Sequence, residues 1–494
     1  MQLPLVDLLV FAVYLVGVTL FGCSFYFRKG SRQADDFTSG GGRLPAWAVG
    51  LSIFATFVSS ISFLALPAKA YSSNWNAYVL SLTIPIASVM AALFFVPLYR
   101  SLNSVSAYSY LETRFGLWAR IYASLCYLVT QIARMGMIMY LLALPMNALL
   151  GWPVPQVILI TGVGVLLYSM MGGIQAVVWT DAVQGLILIA GIVVCLGVLL
   201  FSMPGGIGQA WDIAVSEHKF SLGSMSLTDW GNETFWVCFL YGIFINLQNY
   251  GIDQCFTQRY LTARNHREAI RSMLLGSLLY VPVSLLLVMT GTALFAYYRS
   301  QPDLLPPEIA ALPDQVFPYF IVHGLPAGLT GLLIAAIFAA GMSTVSTSLN
   351  SGTTILLEDY YKRYINPAAS NAQCLRMLRG GTLVLAVAGV GCALAMMRVK
   401  SALDAWWAMQ SIFSGGMLGL FLLGYFSKKA RNPEAALGVV LGLLVIAWIS
   451  VFQKWWPLSV KLHNNLAIVL GTTAIFVAGF ALAAVFRKKG GTTP

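Results

Sequence analysis

The sequence predicts an all-α membrane protein that crosses the bilayer many times. Of its 494 residues, 58% are hydrophobic and only 10% are charged, whereas an ordinary globular chain carries about 25% charged residues. The apolar residues form repeated runs of about 20, the length that a helix needs to cross a membrane. These observations exclude a soluble enzyme, a disordered scaffold and a collagen-like fibre.

Thirteen spans can be counted, and an odd number puts the two termini on opposite sides. They cover residues 6–27, 46–70, 76–98, 119–147, 155–172, 178–202, 233–252, 269–297, 320–356, 377–397, 404–426, 434–452 and 465–486. With the N-terminus outside, 21 of the 29 lysines and arginines lie in inner loops and 6 in outer segments, while Lys69 and Arg134 lie within spans. The positive-inside rule therefore predicts an outer N-terminus and a cytoplasmic C-terminus. The short loops suit a bacterial inner membrane.

The distribution of charge also narrows the function. The net charge of +11 comes from basic residues in short loops between spans, which sets membrane orientation, so no nucleic-acid partner is expected. A membrane enzyme is disfavoured because the chain has only four histidines and no paired carboxylates in mid-span. A channel is disfavoured because no filter-like repeat is visible. We expect a transporter that acts as a monomer in the lipid bilayer, without enzymatic activity or an organic cofactor.

Span 2 contains an interruption of the kind that transporters use to bind ions. The run from Ala55 to Ser62 places four hydroxyl groups in one stretch of helix, and Ala55, Ser59 and Ser62 share one helical face. A helix broken in mid-membrane exposes carbonyl groups that can bind an ion. Span 7 is interrupted in a similar way, at Gly242, Asn246, Asn249, Gly251 and Asp253.

Span 9 carries a matching set of hydroxyl groups between Ala340 and Asn350. Ser343, Thr347 and Asn350 form one stripe, and Thr344 and Ser348 form its neighbour. Sodium is a hard cation and should prefer oxygen ligands, by analogy with calcium and magnesium. Two hydroxyls of span 9 and carbonyls of span 2 would supply a five-oxygen site. The alternative is that these hydroxyls only hold helices together, but matched stripes in two spans favour ion binding.

Two charged residues inside the spans are further candidates. Arg134 lies in the middle of span 4, where an arginine is costly unless it is paired. Its planar guanidinium suits a carboxylate, although carbonyls at a helix end could satisfy it instead. Asp181 lies just inside one end of span 6, and it could attract a cation or pair with an arginine of an inner loop.

Four segments together carry a family resemblance. They are residues 106–116 (SAYSYLETRFG), residues 172–185 (which begin with GG and end with VWTDAVQG), residues 258–263 (QRYLTA) and the hydroxyl run of span 9. With these segments the chain resembles the sodium/solute symporter family over nearly its whole length. The resemblance implies a five-plus-five inverted repeat of the LeuT type, with one extra N-terminal and two extra C-terminal helices. It would divide the chain into a peripheral helix and inner loop (1–45), repeat 1 with spans 2–6 (46–202), an outer loop (203–232), repeat 2 with spans 7–11 (233–426), and spans 12–13 with a cytoplasmic tail (427–494).

The resemblance also implies positions for sodium, the expected coupling ion. The first site would use the carbonyls of Ala55, Val58 and Ala340 and the hydroxyls of Ser343 and Thr344. A second site, which some bacterial members have, would use Asp181, Ser346 and Thr347. One sodium ion and one carboxylate carry no net charge, so membrane voltage drives their uptake only when a second sodium ion is added. We therefore expect one or two sodium ions.

Within the family, residues 59–63 and 66–75 are most similar to bacterial sodium/sialic acid symporters. That similarity implies a substrate site formed by Phe57, Ser59, Ser60, Ser62, Ala77, Ser81 and Arg134. The hydroxyls matching Ser59 and Ser62 and the arginine matching Arg134 hold the sugar acid in that group. The wall facing the sugar differs, because Phe57 replaces a threonine and Ala77 and Ser81 replace a phenylalanine and a glutamine. The predicted solute is sialic acid (N-acetylneuraminate), and a neutral sugar, a polyol or a small monocarboxylate is the alternative.

Overall fold

The computed structural model describes residues 4–27, 33–102, 104–398, 402–454 and 461–489, and these ranges are mostly helical. Residues 1–3 and 490–494, at the ends of the predicted segments 1–45 and 427–494, lie outside the described residues. The α-helices are α1 (Leu5–Ser24), α2 (Ala34–Ser39), α3 (Ala46–Phe57), α4 (Ser60–Ser72), α5 (Val79–Leu82), α6 (Ile84–Met90), α7 (Val96–Ser101), α8 (Ser109–Phe115), α9 (Leu117–Leu150), α10 (Val154–Phe201), α11 (Gly206–Ser216), α12 (Phe235–Ile252), α13 (Gln254–Thr262), α14 (His266–Ser300), α15 (Pro307–Ala310), α16 (Pro313–His323), α17 (Leu329–Ile355), α18 (Asn371–Met396), α19 (Ala402–Phe426), α20 (Asn432–Ser450) and α21 (Leu466–Lys489). Short 3-10 segments lie at Phe25–Phe27, Gly40–Gly42, Trp75–Tyr78, Pro302–Leu304 and Phe452–Lys454, and π segments lie at Ala91–Phe95 and Leu356–Ile365.

The helices match the predicted spans in position. Within the described ranges, nine helices are long and apolar enough to cross a membrane, and the bent pair α3 and α4 makes a tenth. Every predicted span overlaps a helical segment. The all-α membrane class is therefore confirmed, whereas the number of thirteen spans stays a prediction.

Helix α10 contains two predicted spans in one segment of 48 residues. A straight helix of that length would measure about 72 Å, more than twice the apolar thickness of a bilayer. The helical conformation is interrupted at Gly173, which has φ 55° and ψ −148°. This left-handed φ favours glycine. The break at Gly173 lies between predicted spans 5 and 6.

Helix α17 lies at the centre of the protein and α1 at its edge. The apolar part of the segment Leu329–Ile365 is 89% buried, whereas that of Leu5–Phe27 is 28% buried. The surroundings of α17 therefore consist of protein, which explains why its many hydroxyl groups meet polar partners. The exposed side of α1 is the kind of surface that lipid covers.

The helix break predicted for span 2 is present, whereas the interruption predicted within span 7 is wrong for Gly242, Asn246, Asn249 and Gly251, because α12 is continuous from Phe235 to Ile252 and only Asp253 leaves the helical conformation. Helices α3 and α4 meet at an angle of 59°, because Val58 and Ser59 have extended backbones. The Ser59 side chain accepts a hydrogen bond from the backbone N–H of Ser62 at 3.2 Å and so caps α4. Helix α12 ends at Asp253, whose carboxylate accepts from the N–H of Cys255 at 2.8 Å and caps α13.

The segment at residues 106–116 is held by ionic and polar contacts. The Arg120 guanidinium contacts the Glu112 carboxylate at 2.7 Å and the Asp359 carboxylate at 2.5 Å. Ser106 donates to the other oxygen of Asp359 at 3.0 Å. The Gln254 side chain, directly after the break of α12, bonds the backbone on both sides of Ser106, at Val105 and Ala107. These contacts join α8, α9, α13 and the segment that follows α17.

Asp7 fixes the peripheral helix α1 to the start of α17. Its side chain is buried, and its Oδ1 atom accepts hydrogen bonds from the N–H groups of Gly328 and Gly331, both at 2.7 Å. The first N–H groups of a helix lack partners within the helix, and a negative charge near them is favourable. Asp7 therefore supplies a hydrogen-bond acceptor to the unpaired N–H groups at the beginning of α17.

We predict that Asp7→Leu lowers the thermal unfolding temperature of the purified protein. The substitution leaves two buried amides without an acceptor, at a cost of about 1–3 kcal/mol for each unpaired group. Asp7→Asn keeps an acceptor oxygen, so its unfolding temperature should fall less than that of Asp7→Leu. An Asp7→Leu variant that unfolds at the wild-type temperature would contradict this role.

Candidate functional site

Residues predicted for the first sodium site meet where α17 passes the break between α3 and α4. Ser343 Oγ donates to the carbonyl oxygen of Ala55 at 2.8 Å and to that of Ala340 at 3.1 Å. Thr344 Oγ1 donates to the same Ala340 oxygen at 3.1 Å. Val58, the remaining predicted ligand, is fully buried at the break itself. Because a hydroxyl can rotate its proton away and present lone pairs, this cluster offers oxygen atoms of the kind that a hard cation prefers.

A polar cavity of about 220 Å³ opens at the same break. Phe57, Ser59, Ser62 and Arg134, four of the residues predicted to bind the substrate, line it. The rest of the lining comes from α9, α12, the start of α13 and α19, and it includes Asp253. Both broken helices therefore face one cavity, although they are far apart in the sequence.

Arg134 reaches this cavity without a described ion-pair or hydrogen-bond partner. It is only partly buried, and no described residue accepts a hydrogen bond from it or forms an ion pair with it. The sequence left open whether helix-end carbonyls satisfy this arginine, and none of the described carbonyls does. Its guanidinium can therefore bind a carboxylate through two parallel hydrogen bonds.

The residues predicted for a second sodium site surround an arginine. Asp181, Ser346 and Thr347 are fully buried, and Ser346 Oγ lies 3.4 Å from Asp181 Oδ1. The Nη2 atom of Arg259 donates to Asp181 Oδ2 at 2.7 Å and to Thr347 Oγ1 at 2.6 Å. The Ser52 hydroxyl bridges Asp181 and Arg259, because it donates to the Asp181 carboxylate at 2.7 Å and accepts from Arg259 Nε at 2.7 Å.

The sequence-based assignment of Arg259 to an inner loop is wrong. Helix α13 carries this residue into the protein, where it is 1% exposed. It is the arginine that pairs with Asp181, one of the two possibilities that the sequence left open. A second sodium ion at Asp181 stays a prediction, and such an ion would have to share the carboxylate with the guanidinium.

Ala77 and Ser81 line a different cavity, of about 300 Å³. Phe57 lines both cavities. Its ring stacks on Tyr250, with centroids 5.2 Å apart and planes 9° apart, and it meets the ring of Tyr280 at 4.6 Å. Phe57 therefore stands between the Arg134 side of the polar space and the wall that Ala77 and Ser81 form.

Ser60 lies away from both cavities. It does not line either of them, and its buried Oγ atom has no hydrogen-bond partner among the described residues.

In contrast, Gln131 and Gln248 line the Arg134 cavity although the sequence did not indicate them as site residues. A signal for Gln131 was available, since it precedes Arg134 by three residues on the same face of α9. The side chain of Gln131 accepts from Ser348 Oγ at 2.7 Å.

The fold and the site define an ion-coupled secondary transporter. Apolar helices surround the centre, two of the helices are broken there, and the breaks face a buried oxygen cluster and a cavity that contains a cationic group. Transporters of this class bind solute and coupling ion at such helix breaks near the middle of the membrane.

The chain belongs to the sodium:solute symporter family. The model of that family, "Sodium:solute symporter family", matches residues 37–442. The sodium/sialic acid symporter SiaT of Proteus mirabilis is 33% identical over 483 residues, which are 96% of this chain and 94% of that protein. The sodium/sialic acid symporter NanT of Aliivibrio fischeri is 31% identical over 484 residues, which are 97% of this chain and 92% of that protein.

Solved structures agree with this family. The chain matches the substrate-bound, outward-open state of a Na+-coupled sialic acid symporter with a TM-score of 0.91 and 31% identity, over 98% of each chain. The nucleobase-cation-symport-1 family transporter Mhp1 shares the fold alone, with a TM-score of 0.58 and 15% identity over 94% of this chain and 96% of its own. The chain is therefore a multi-pass sodium symporter.

We predict strong energetic coupling between Asp181 and Arg259. Asp181→Asn or Arg259→Gln alone leaves one buried charge unpaired, which costs about 3–5 kcal/mol. The double variant should lose less stability than the sum of the two single variants, as measured by thermal unfolding of the purified protein.

The pair Lys69 and Glu233 is a suitable control for this measurement. Its atoms are 3.4 Å apart and its side chains are about half exposed, so its removal should cost only about 0–1 kcal/mol. Single variants of Asp181 and Arg259 that unfold like variants of this control pair would contradict the coupling.

Proposed function

We propose that this protein is a sodium-coupled symporter that takes up a carboxylated sugar, sialic acid (N-acetylneuraminate). The observation that carries the proposal is the Arg134 guanidinium, which has no described partner and faces the cavity that Ser59 and Ser62 also line. An arginine binds a carboxylate with two hydrogen bonds, and serine hydroxyls can bond a sugar. The two sialic acid symporters that are 33% and 31% identical over nearly the whole chain support this solute.

We also propose the LeuT-type inverted repeat, with repeats at 46–202 and 233–426 and peripheral segments at 1–45 and 427–494. The breaks at Val58 and Asp253 support it, because the first lies within the first span of its proposed repeat and the second directly follows the first span of its own. The distribution of basic residues supports an outer N-terminus and a cytoplasmic C-terminus. Thirteen spans, a monomer and a bacterial inner membrane complete the proposal, and the bacterial origin of both relatives supports this location.

The proposed mechanism is alternating access driven by sodium. A sodium ion bound by Ala55, Val58, Ala340, Ser343 and Thr344 joins the break after α3 to α17 and stabilises the outward-open state. Solute binding then closes the outer path, and rocking of the helices opens the inner one. Coupling exists only if both ligands bind the two states with different affinity. A tenfold sodium gradient contributes about 1.4 kcal/mol per ion, and each net charge contributes about 2.3 kcal/mol per 100 mV.

The number of sodium ions depends on Arg259. An ion at Asp181, Ser346 and Thr347 would need oxygen atoms that the Arg259 guanidinium contacts at 2.6–2.7 Å. We therefore propose that the first site is always used and that a second ion binds only when Arg259 withdraws. With one ion the uptake of an acid is electroneutral, and with two ions it responds to voltage.

A small monocarboxylate is the second candidate solute. The Phe57 ring separates the Arg134 cavity from Ala77 and Ser81, so about 220 Å³ remains beside the arginine. An acid without a sugar ring would need only that part of the polar space.

We predict that Arg134→Ala abolishes the stabilisation of the protein by acids. Wild-type protein should unfold at a higher temperature with N-acetylneuraminate and sodium than with sodium alone, and neutral sugars should have little effect. The variant should bind the acid at least about tenfold more weakly, because hydrogen bonds to a charged group contribute about 1.5–3 kcal/mol. Thermal unfolding with a panel of acids and neutral sugars checks this. If the variant still responds to every acid, the carboxylate does not bind at Arg134.

We predict that Ser343→Ala and Thr344→Ala weaken sodium activation of uptake. Each variant removes one oxygen ligand, so the sodium concentration for half-maximal uptake in proteoliposomes should rise severalfold. Thr353→Ala is the matched control, because Thr353 is a buried hydroxyl residue of α17 that bonds to Thr382 instead. Unchanged sodium dependence in both site variants would reject the first ion site.

A further inference from the structure

Asp253 is a carboxyl residue at a position where the local structure needs only a small polar side chain. It is 7% exposed and caps α13 by accepting from the N–H of Cys255. Asparagine, serine or threonine caps a helix about equally well. Because an ionisable residue inside a membrane protein is costly, an aspartate at this position calls for a second role.

The position of Asp253 in the cavity suggests what that role is. Asp253 and Arg134 line the same cavity, but their charged atoms are not within the 4.0 Å of an ion pair. No described basic residue lies within ion-pair distance of Asp253, although the charges of Arg134 and Arg259 act on it electrostatically. Two opposite charges thus face one cavity without touching, in contrast to Asp181 and Arg259, which are in contact. A ligand that fits between them can compensate both.

Gln248 adds a second unused polar group on the same side. It lies five residues before Asp253 on α12, lines the cavity and is 3% exposed. Its Oε1 atom is buried and has no hydrogen-bond partner among the described residues. Buried polar groups of this kind are rarely left without a partner. The α12 side of the cavity therefore presents the acceptor Asp253 and the amide of Gln248, which can donate and accept, whereas the α9 side presents the donor Arg134.

We propose that Asp253, with the Gln248 amide beside it, forms an acceptor face that binds the hydroxyl or amide N–H groups of the solute while Arg134 holds its carboxylate. Asp253 is then a specificity-determining residue, and the solute is an acid that carries several hydrogen-bond donors. A site built to bond a hydroxyl group discriminates against an analogue that lacks it, because the polar groups of the site stay unpaired. This inference rests on the proposed uptake of a carboxylated sugar and specifies which sides of the cavity contact it.

The test is Asp253→Asn in the full-length protein, because asparagine keeps the cap of α13 and removes the charge. Dissociation constants are measured at saturating sodium for N-acetylneuraminate and for analogues that each lack one hydroxyl group. In wild-type protein at least one analogue should bind about tenfold more weakly than the parent acid. In Asp253→Asn the parent acid should bind about tenfold more weakly, and the penalty for that analogue should disappear.

Two further measurements distinguish solute recognition by Asp253 from ion binding and from a loss of structure. The sodium concentration for half-maximal binding should not change in Asp253→Asn; a higher value with an unchanged analogue penalty would mean that Asp253 binds the ion and would overturn the proposal. Equal weakening of the parent acid and all analogues, or no weakening, would also overturn it. If Asp253→Asn does not fold, Gln248→Met removes the neighbouring amide at similar volume and must itself reduce an analogue penalty.

The outcome for wild-type protein separates the two proposals. If wild-type protein does not bind N-acetylneuraminate in the presence of sodium, the proposed function fails. If wild-type protein binds it and the variants retain every analogue penalty, only the acceptor face fails.

Discussion

The hydrogen bond from Ser343 to the carbonyl of Ala55 is the contact on which the centre of the protein depends. Lipid offers no hydrogen bonds, so a helix that is broken inside a membrane must find partners within the protein. At the break after α3, the Ser59 side chain accepts a hydrogen bond from the backbone N–H of Ser62 in α4. The Ser343 hydroxyl of α17 donates to the backbone carbonyl of Ala55 in α3 at 2.8 Å. The Ser343 hydroxyl and the Ala55 carbonyl are also proposed ligands of sodium. The break and the ion site are therefore one structural feature.

The interior contains two arrangements of opposite charge, and they have different consequences. Arg259 and Asp181 are in contact at 2.7 Å, and serine and threonine hydroxyls complete their hydrogen bonds. Such a pair holds α10, α13 and α17 together and occupies the oxygen atoms that an ion at Asp181 would need. Arg134 and Asp253 face the same cavity without contact, so their charges remain available. The first arrangement stabilises the bundle, and the second can bind a polar solute.

The residues proposed to bind the ion and the carboxylate lie apart from Ala77 and Ser81, which line a second cavity. The oxygen cluster around Ser343 and the cationic group of Arg134 suit any sodium-coupled uptake of an acid. Phe57 divides the polar space by stacking on Tyr250 and contacting Tyr280, and Ala77 and Ser81 lie on its other side. A change of solute within the family can therefore arise at Phe57 and the wall behind it without altering ion binding.

The sequence by itself determined the membrane class, the interruption of span 2 and the hydroxyl stripe of span 9. These features depend on local hydropathy, helix-breaking residues and helical spacing, which can be read along one segment. Only the tertiary structure decided that Arg259 is buried against Asp181, 78 residues away in the chain, that Ser60 lies outside the cavities and that Asp253 faces the cavity of Arg134. The physical reason is that these relations depend on how distant helices pack, and hydropathy describes each helix separately.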